Sequence, residues 1–497
     1  MDGSAERLTA ALDAASRMAG ADGPLSEQTL TDAVAGMRRV YDPEWGGFGR
    51  APKFPPASAI EFLLRAHRRG VGGALEMATG TLDAMAAGGM YDVLAGGFAR
   101  YSVDGQWLVP HFEKMLYDNA LLASAYLHGH AVTGDPGYRW VAEATLDFLL
   151  TDMLLPEGGF ASALDADTLG EEGLTYVWTP DELVDVLGPD DAEAAAAYFG
   201  VSERGTFEGV ASVLRPVGEP PENIESISAR LLEARRARPQ PGRDDKAIAA
   251  WNGLALAALA EAGRRLASNT VLLAAERLGN FLLTELSGPD GRLFRTWRNG
   301  RASIPGYLED YADVAHGLYE LHVATGDLRW LEESNRLARL AIELFADEER
   351  GGFFMAAHDA EQLVARTKGL DDNPVPSGNS MLAFVLLRLA RLYGDDELEH
   401  RAAGVLRLLH ANLSRIPTAF GWALCALDLY LSPPRELAIV GRPEDEIART
   451  ALAPFEPNAV IAFGPSEDVP LLAGKTRVDG KPTLYVCERF ACRAPVT

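Results

Sequence analysis

Cysteine is scarce in this chain, with only Cys425, Cys487 and Cys492 in 497 residues. No Cys-x-x-Cys pair occurs, which excludes a thioredoxin-type redox motif and a cysteine zinc site, and Cys487 and Cys492 are expected as packed thiols rather than as a bridge. No apolar run reaches the roughly 18 residues needed to span a bilayer, and no basic segment leads into an apolar one at the N-terminus. A cytoplasmic location with no membrane partner is therefore expected. Basic surplus is absent too: the net charge is −25, with acidic residues spread along the chain, which argues against nucleic acid as a partner. Neither an Asp-rich calcium loop nor a His-x-x-x-His pair is present, so no metal and no cofactor is expected. Lysine numbers six against forty arginines. Four of those six, Lys53, Lys114, Lys246 and Lys368, lie in dense polar motifs, as though a compact ammonium were needed there.

What the chain has in quantity is helical periodicity. Apolar residues recur at three- and four-residue spacing over 25–41, 57–69, 74–88, 113–133, 138–154, 245–267, 270–286, 308–326, 328–346, 377–394, 396–414 and 419–431, the signature of amphipathic helices. Twelve helices make six hairpins. Thr133-Gly134-Asp135, Thr325-Gly326-Asp327 and Tyr393-Gly394-Asp395 each end one helix with glycine and cap the next with aspartate. At the other ends recur Gly46-Gly47-Phe48, Gly96-Gly97-Phe98, Gly158-Gly159-Phe160 and Gly351-Gly352-Phe353, with a degenerate copy at Gly291 to Phe294; this is an internal repeat of one hairpin with its loop. The segments from Phe294 and from Phe353 to Leu363 alternate like short β-hairpins. Short turns on one face and long polar loops on the other predict an all-α fold, an (α/α)6 toroid; an open solenoid would use shorter repeats with simpler loops.

Two regions break the rhythm. An insertion at about 165–244 contains a possible hairpin around Leu174 to Thr179 and a Pro/Arg-rich tether, Arg235 to Arg243, that reads as mobile. From 433 to 497 short apolar strands at Glu436–Val440, Ala459–Phe463 and Thr483–Cys487, with a helix near Glu444–Ala453, predict a small α/β appendage to a toroid spanning 1–432.

Five polar clusters fall on the long-loop face. The densest runs from Tyr101 through Trp107 to His111, Glu113, Lys114, Tyr117, Asp118 and Asn119. The others hold Asp165, Asp167 and Trp178; Asp245, Lys246, Trp251 and Asn252; Glu309, Asp310 and Tyr311; and Lys368, Asp371, Asp372 and Ser377. His111 is the candidate acid–base group, because a histidine beside carboxylates is suited to proton transfer near neutral pH. Glu113, Asp165, Asp167, Glu309 and Asp310 are the candidate catalytic carboxylates, and the remaining cluster residues are candidate ligand contacts. Glu309 and Asp310 also suit helix capping. Tryptophans beside carboxylates suit a polyhydroxylated ligand, whose C–H faces stack on rings. His316 and His322 read as packing or surface positions.

Ala51-Pro52-Lys53-Phe54-Pro55, the Gly96–Asn119 block, Ser162 to Asp167, Trp251-Asn252-Gly253-Leu254, Gly306 to Ala312, Pro376-Ser377-Gly378-Asn379 and the tail Tyr485-Val486-Cys487 to Cys492 resemble the thioredoxin domain-containing family of spermatogenesis-associated proteins and their bacterial relatives. The resemblance covers nearly the whole chain. It implies an N-terminal thioredoxin-like domain ahead of a region similar to N-acylglucosamine 2-epimerases and six-hairpin glycosidases, and this chain begins where that first domain would end. The expectation is a carbohydrate-active enzyme, epimerase-like or glycosidase-like, with a small-molecule substrate such as a sugar. The alternative is a non-catalytic binding module serving a thioredoxin-like partner domain.

Overall fold

The computed structural model describes residues 23–361 and 365–497. All twelve predicted helices form. They are α1 (Glu27–Val40), α2 (Ala57–Arg68), α3 (Ala74–Ala87), α4 (Leu116–Thr133), α5 (Pro136–Phe148), α9 (Ala249–Arg265), α10 (Asn269–Thr284), α11 (Leu308–Thr325), α12 (Leu328–Phe345), α13 (Gly378–Tyr393), α14 (Asp396–Leu413) and α15 (Gly421–Leu431). Between α5 and α9 the insertion adds α6 (Pro180–Leu187), α7 (Pro189–Phe199) and α8 (Ile224–Ala237), and the loops carry the short strands β1 (Tyr101–Ser102), β2 (Pro110–His111), β3 (Lys114–Met115), β4 (Ala163–Leu164), β5 (Asp167–Thr168), β6 (Glu171–Glu172), β7 (Arg243–Asp244), β8 (Ala247–Ile248), β9 (Phe294–Arg298) and β10 (Arg301–Pro305).

The short turns follow from their sequences. Gly134, Gly326 and Gly394 adopt left-handed backbone at φ 77°, 72° and 64° and return their N–H groups to His130, His322 and Ala390. Asp135, Asp327 and Asp395 then cap the following helices, satisfying N–H groups that the first turn leaves free.

Helices α2, α4, α9, α11, α13 and α15 pack side by side in that order, and α15 closes on α2, giving a ring of six; α1, α3, α5, α10, α12 and α14 form the outer layer. This is an (α/α)6 toroid. Close approach in the inner ring depends on glycine: a Cβ on Gly253 of α9 would overlap the Asp313–Val314 backbone of α11, and one on Gly421 of α15 would strike the Ser58 backbone of α2. All six inner helices begin on the long-loop face, so their N-termini surround one mouth of the lumen and their C-termini the other.

After α15 come β11 (Arg435–Val440), α16 (Glu446–Leu452), β12 (Ala459–Gly464), β13 (Thr483–Glu488) and β14 (Ala491–Cys492), forming one sheet in the order β12-β11-β13-β14. Strand β12 runs parallel to β11, while β13 is antiparallel to it. The sheet covers the C-terminal mouth of the ring. There the Tyr319 hydroxyl accepts from Ile461 N, and His322 Nε2 accepts from Phe463 N.

Several local expectations are corrected. Cys487 and Cys492 are disulfide-bonded across the β13–β14 pair, because that register sets them opposite one another. Leu174–Thr179 forms turns and no hairpin; the strand pair in the insertion lies earlier, at β5 (Asp167–Thr168) and β6 (Glu171–Glu172). The Arg235–Arg243 tether is anchored: Arg235 donates to Asp92 at 2.8 Å, and the Arg238 guanidinium lies 3.8 Å above the Trp178 ring. A hairpin does form at β9 (Phe294–Arg298) and β10 (Arg301–Pro305). The one expected from Phe353 shows no strand among its described residues, and its end, Leu363, lies outside them.

Candidate active site

Much of the polar density on the long-loop face holds loops in place. In three repeats an aspartate accepts from the backbone N–H groups two and three residues on: Asp42 from Glu44 and Trp45, Asp92 from Leu94 and Ala95, Asp347 from Glu349 and Arg350. A buried lysine then ties that aspartate to the first glycine of the Gly-Gly-Phe marker. Lys53 donates to Asp42 (2.6 Å) and Gly46 O (2.8 Å), Lys114 to Asp92 (2.8 Å) and Gly96 O (3.1 Å), and Lys368 to Gly351 O (2.6 Å) with Asp347 at 2.9 Å. Burial draws the Lys114 pKa down against the pull of Asp92. A compact ammonium fits this cage, where a planar guanidinium would not. Lys114 and Lys368 are thus loop braces rather than ligand contacts.

An asparagine supplies the second brace. Asn119, Asn252 and Asn379, each in the first turn of an inner helix, accept through Oδ1 from the N–H of Phe98, Phe160 and Phe353, and donate through Nδ2 to the carbonyls of the same phenylalanines. In the degenerate repeat the Tyr311 hydroxyl takes over, accepting from Leu293 N at 3.0 Å. Asn119, Asn252 and Tyr311 are buried and spend their polar atoms on this duty, which corrects their expected role in ligand binding. Trp107, donating to Trp45 O, and Trp178, in the small core of the insertion, are buried away from the mouth.

Asp310 and Asp372 pin neighbouring inner helices together. Asp310 accepts from Ala250 N at the start of α9 (2.9 Å) and from Tyr307 N (2.8 Å) before α11. Asp372 accepts from Trp422 N and Ala423 N of α15 (both 2.9 Å) and from Ser377 N ahead of α13 (2.8 Å), while the Ser377 hydroxyl caps α13. Burial raises Asp310 to about 7, with Arg295 opposing and Glu309 adding, and raises Asp372 to about 6. Asp310 is fully enclosed, so its carboxylate serves to hold the two helix starts together.

What remains at the mouth is a half-exposed set, His111, Glu113, Trp251 and Glu309, beside the buried Tyr117, Asp118 and Asp313. His111 Nδ1 lies 2.6 Å from Glu172 of the insertion, and its Nε2 lies 3.7 Å from Glu113. The imidazole stacks on Tyr101 at 4.9 Å, and Tyr101 packs on the exposed Phe54 at 4.7 Å. Glu113 pairs with Arg100 at 2.9 Å, and Arg100 leads on to Tyr117, whose ring meets Trp251 edge-on at 4.8 Å. Glu309 pairs with Arg295 at 2.6 Å and, with Asp371, lines a side pocket of about 160 Å³. Asp118 and Asp313 are buried with one carboxyl oxygen each unpartnered. Burial pushes both well above the ordinary carboxylate range, helped by Glu113 at Asp118 and by Glu309 and Asp310 at Asp313. Asp165, just before β5, and Asp167, its first residue, are exposed, Asp245 pairs with Arg243, and Lys246 pairs with Asp244. Among the described residues no group of three or more His, Cys, Asp or Glu could hold a metal ion, and no helix is long and apolar enough to cross a membrane.

The lumen holds a second polar assembly deeper in the ring. His128 of α4 lies between Glu61 of α2 (2.6 Å) and Glu261 of α9 (2.8 Å), with Arg65 on Glu61 and Arg265 on Glu261. Burial alone would make His128 neutral; the Glu261 and Glu61 carboxylates override it and push its pKa to about 10. Burial likewise opposes ionisation of Glu61, and the His128 and Arg65 charges hold its pKa down to about 2. His316 of α11 faces this space, corrected from a packing or surface position; burial first and the Arg388 charge second keep it neutral.

No family model matches the chain. Spermatogenesis-associated protein 20 of Rattus norvegicus is 32% identical over 560 aligned positions, which cover 99% of this chain and 71% of the relative. The Homo sapiens protein of the same name is 32% identical over 562 positions, with the same coverage. The chain belongs to the spermatogenesis-associated protein 20 family. Among solved structures, a D-mannose isomerase matches with a TM-score of 0.53 at 12% identity, covering 79% of this chain and 88% of that one; at that identity the likeness is one of fold.

In this member of the spermatogenesis-associated protein 20 family, the conspicuous motifs divide into braces and mouth residues. Lys53, Asn119, Asn252 and Asn379 build the loops, while His111, Glu113, Trp251 and Glu309 remain half-exposed at the mouth. Glu172, Arg100, Arg295 and the whole Glu61–His128–Glu261 assembly escaped the sequence reading. A signal for the assembly existed: Glu61/Arg65, His316/Glu320 and Glu261/Arg265 are four-residue pairs within helices otherwise apolar on nearly every face. A charge on such a helix needs a partner or a cavity.

Proposed function

We propose that this protein is a carbohydrate-active enzyme that acts on a sugar or sugar derivative at the long-loop mouth of the ring. The observation that carries this reading is the half-exposed His111, held through Nδ1 by Glu172 at 2.6 Å and stacked on Tyr101. A carboxylate on one ring nitrogen fixes the tautomer and leaves the other free for proton transfer. The Phe54–Tyr101 pair offers an apolar face for a sugar ring, and Glu113, Arg100 and Glu309 offer partners for hydroxyls.

The epimerase or isomerase form of the reaction suits these groups. His111 Nε2 takes the proton from the carbon beside the carbonyl of an open-chain sugar. The Arg100 guanidinium, paired with Glu113 beside His111, is the cation available to the developing enolate oxygen. The fold shared with a D-mannose isomerase is compatible with this chemistry. In the hydrolase form Glu309 would work with a second carboxylate, and their separation would set retention or inversion.

The test is NMR of the full chain in D2O with reducing sugars and simple glycosides, beside His111→Ala. Deuterium entering C2 with the wild-type protein, and falling by about two to four orders of magnitude in the variant, is the expected result. Anomeric products from a glycoside would establish hydrolysis instead. Unchanged exchange in His111→Ala would remove His111 from the chemistry. Silence across the panel would favour a ligand-binding module serving a thioredoxin-like partner.

A further inference from the structure

In a chain with a net charge of −25, the deep lumen is an exception. A cavity of about 100 Å³ there is lined by Leu121, Leu254, Phe384 and Trp422 and by Ala459 and Ile461 of the C-terminal sheet. Its carboxylates are Glu61, Glu261 and Glu320, with Glu456 at the rim already engaged by Arg68 and Arg435 outside it. Its cations are more numerous: Arg65, Arg264, Arg265, Arg388 and His128, the last held as an imidazolium. Three interior carboxylates therefore face five cations.

The surplus is localised. Glu61 is used by Arg65 and His128, Glu261 by His128 and Arg265, and Glu320 by Arg388 at 2.6 Å. Arg264 is left with a contact of 3.7 Å to Glu261 and a long one of 3.4 Å to Leu452 O. The Nε atoms of Arg264 and Arg388 are both buried without a hydrogen-bond partner, and the Arg388 residue is 8% exposed. Burying a guanidinium with unmatched N–H groups is costly unless an anion meets it. A guanidinium fork is also the side-chain group that best fits the two oxygens of a carboxylate or phosphate. The cavity reaches the surface beside Pro454, which is exposed, and its volume suits one tetrahedral or planar oxyanion group.

We propose that the lumen beneath the C-terminal sheet is a second ligand site, separate from the His111 mouth, that takes the oxyanion group of a small phosphate- or carboxylate-bearing molecule through Arg264 and Arg388. The ligand bridges the two guanidinium groups and supplies the missing counter-charge.

The experiment is isothermal titration of the full chain at fixed ionic strength with inorganic phosphate, glucuronate, glucose 6-phosphate and, as the neutral control, glucose, with thermal unfolding in parallel. Phosphate and at least one organic anion are expected to bind and to raise the melting temperature in the millimolar range or below. Arg264→Met and Arg388→Met are each expected to weaken binding by about ten-fold or more. Glu320→Gln works in the opposite sense: it frees Arg388 and enlarges the positive surplus, so anion binding should tighten, and this variant keeps the test sharp if an arginine variant does not fold. Preference for phosphate or for glucuronate identifies which oxyanion the site takes. Absence of heat and of any melting shift with all three anions at about 20 mM, or equal affinities in wild type, Arg388→Met and Glu320→Gln, would overturn the proposal. None of these readouts uses turnover, so failure here and failure of the His111 reading are distinguishable.

Discussion

At the N-terminal ends of the inner helices, polar side chains are spent on backbone: Asn119, Asn252 and Asn379 on the Gly-Gly-Phe loops, Asp310 and Asp372 on neighbouring helix starts. Toward the C-terminal ends they are spent on one another around a cavity, as in the Glu61–His128–Glu261 chain. Dense polar sequence thus marks loop architecture at one end of the ring, and leaves only a few half-exposed groups there as candidates for function. Isolated charges in apolar helices mark an enclosed ionised cluster at the other. The two kinds of site should respond differently to substitution and to pH.

The largest expected effect falls on the braces. Asn252→Ala removes the acceptor for Phe160 N and the donors to Phe160 O and Ile248 O, leaving buried backbone groups unsatisfied. A loss of about 3 kcal/mol in urea unfolding is expected, near 1 kcal/mol per bond. Asn252→Asp keeps the acceptor and loses the donors, so it should fall between. A loss below about 0.5 kcal/mol for Asn252→Ala would mean the loop holds itself, and the contrast between the two ends would collapse.

The lumen cluster should instead show itself through pH. Glu61 is lowered from 4.5 to about 2, so its contribution is present above pH 4.5 and is lost as pH falls toward 2. His128 is raised from 6.5 to about 10, so its contribution is present below pH 6.5 and is lost as pH rises toward 10. Each limb is a contribution to stability that titrates away outside its own pH window. The stability difference between wild type and His128→Gln should therefore be greatest between pH 4.5 and 6.5 and shrink on both sides. A difference that stays constant from pH 6.5 to 10 would show that His128 is uncharged and the cluster is not an ion-pair chain.

The architecture was legible because short turns and glycine markers are local: Thr-Gly-Asp and Gly-Gly-Phe fix where helices stop and which face carries the loops. Site membership was not, because the same residue types serve both duties. Asn119 and Tyr117 lie two residues apart, yet one is locked to Phe98 and the other faces Trp251. Nothing in the spacing separates them; only the three-dimensional path of the loop does. Glu172 was invisible for a related reason, since it reaches His111 across 61 residues from within the insertion. The disulfide between Cys487 and Cys492 depended on the register of a two-residue strand pair, which composition does not encode.

The smallest stability effect is expected at Glu309, and it bears most directly on the division between bracing and function. Glu309 and Asp310 are neighbours in sequence and share Arg295, at 2.6 and 3.3 Å. Asp310 accepts from two helix starts and is enclosed, whereas the Glu309 side chain is 22% exposed and opens on the side pocket. A half-exposed pair of this kind contributes about 1 kcal/mol or less. Glu309→Gln should therefore unfold within about 1 kcal/mol of wild type, while Asp310→Asn, which weakens two helix-pinning contacts in the core, should cost more. If Glu309 handles substrate, its variant should also lose turnover by about two orders of magnitude with stability nearly intact. Equal destabilisation of the two variants would place Glu309 among the braces, and the functional part of the mouth would then contract to His111 and the groups that hold it.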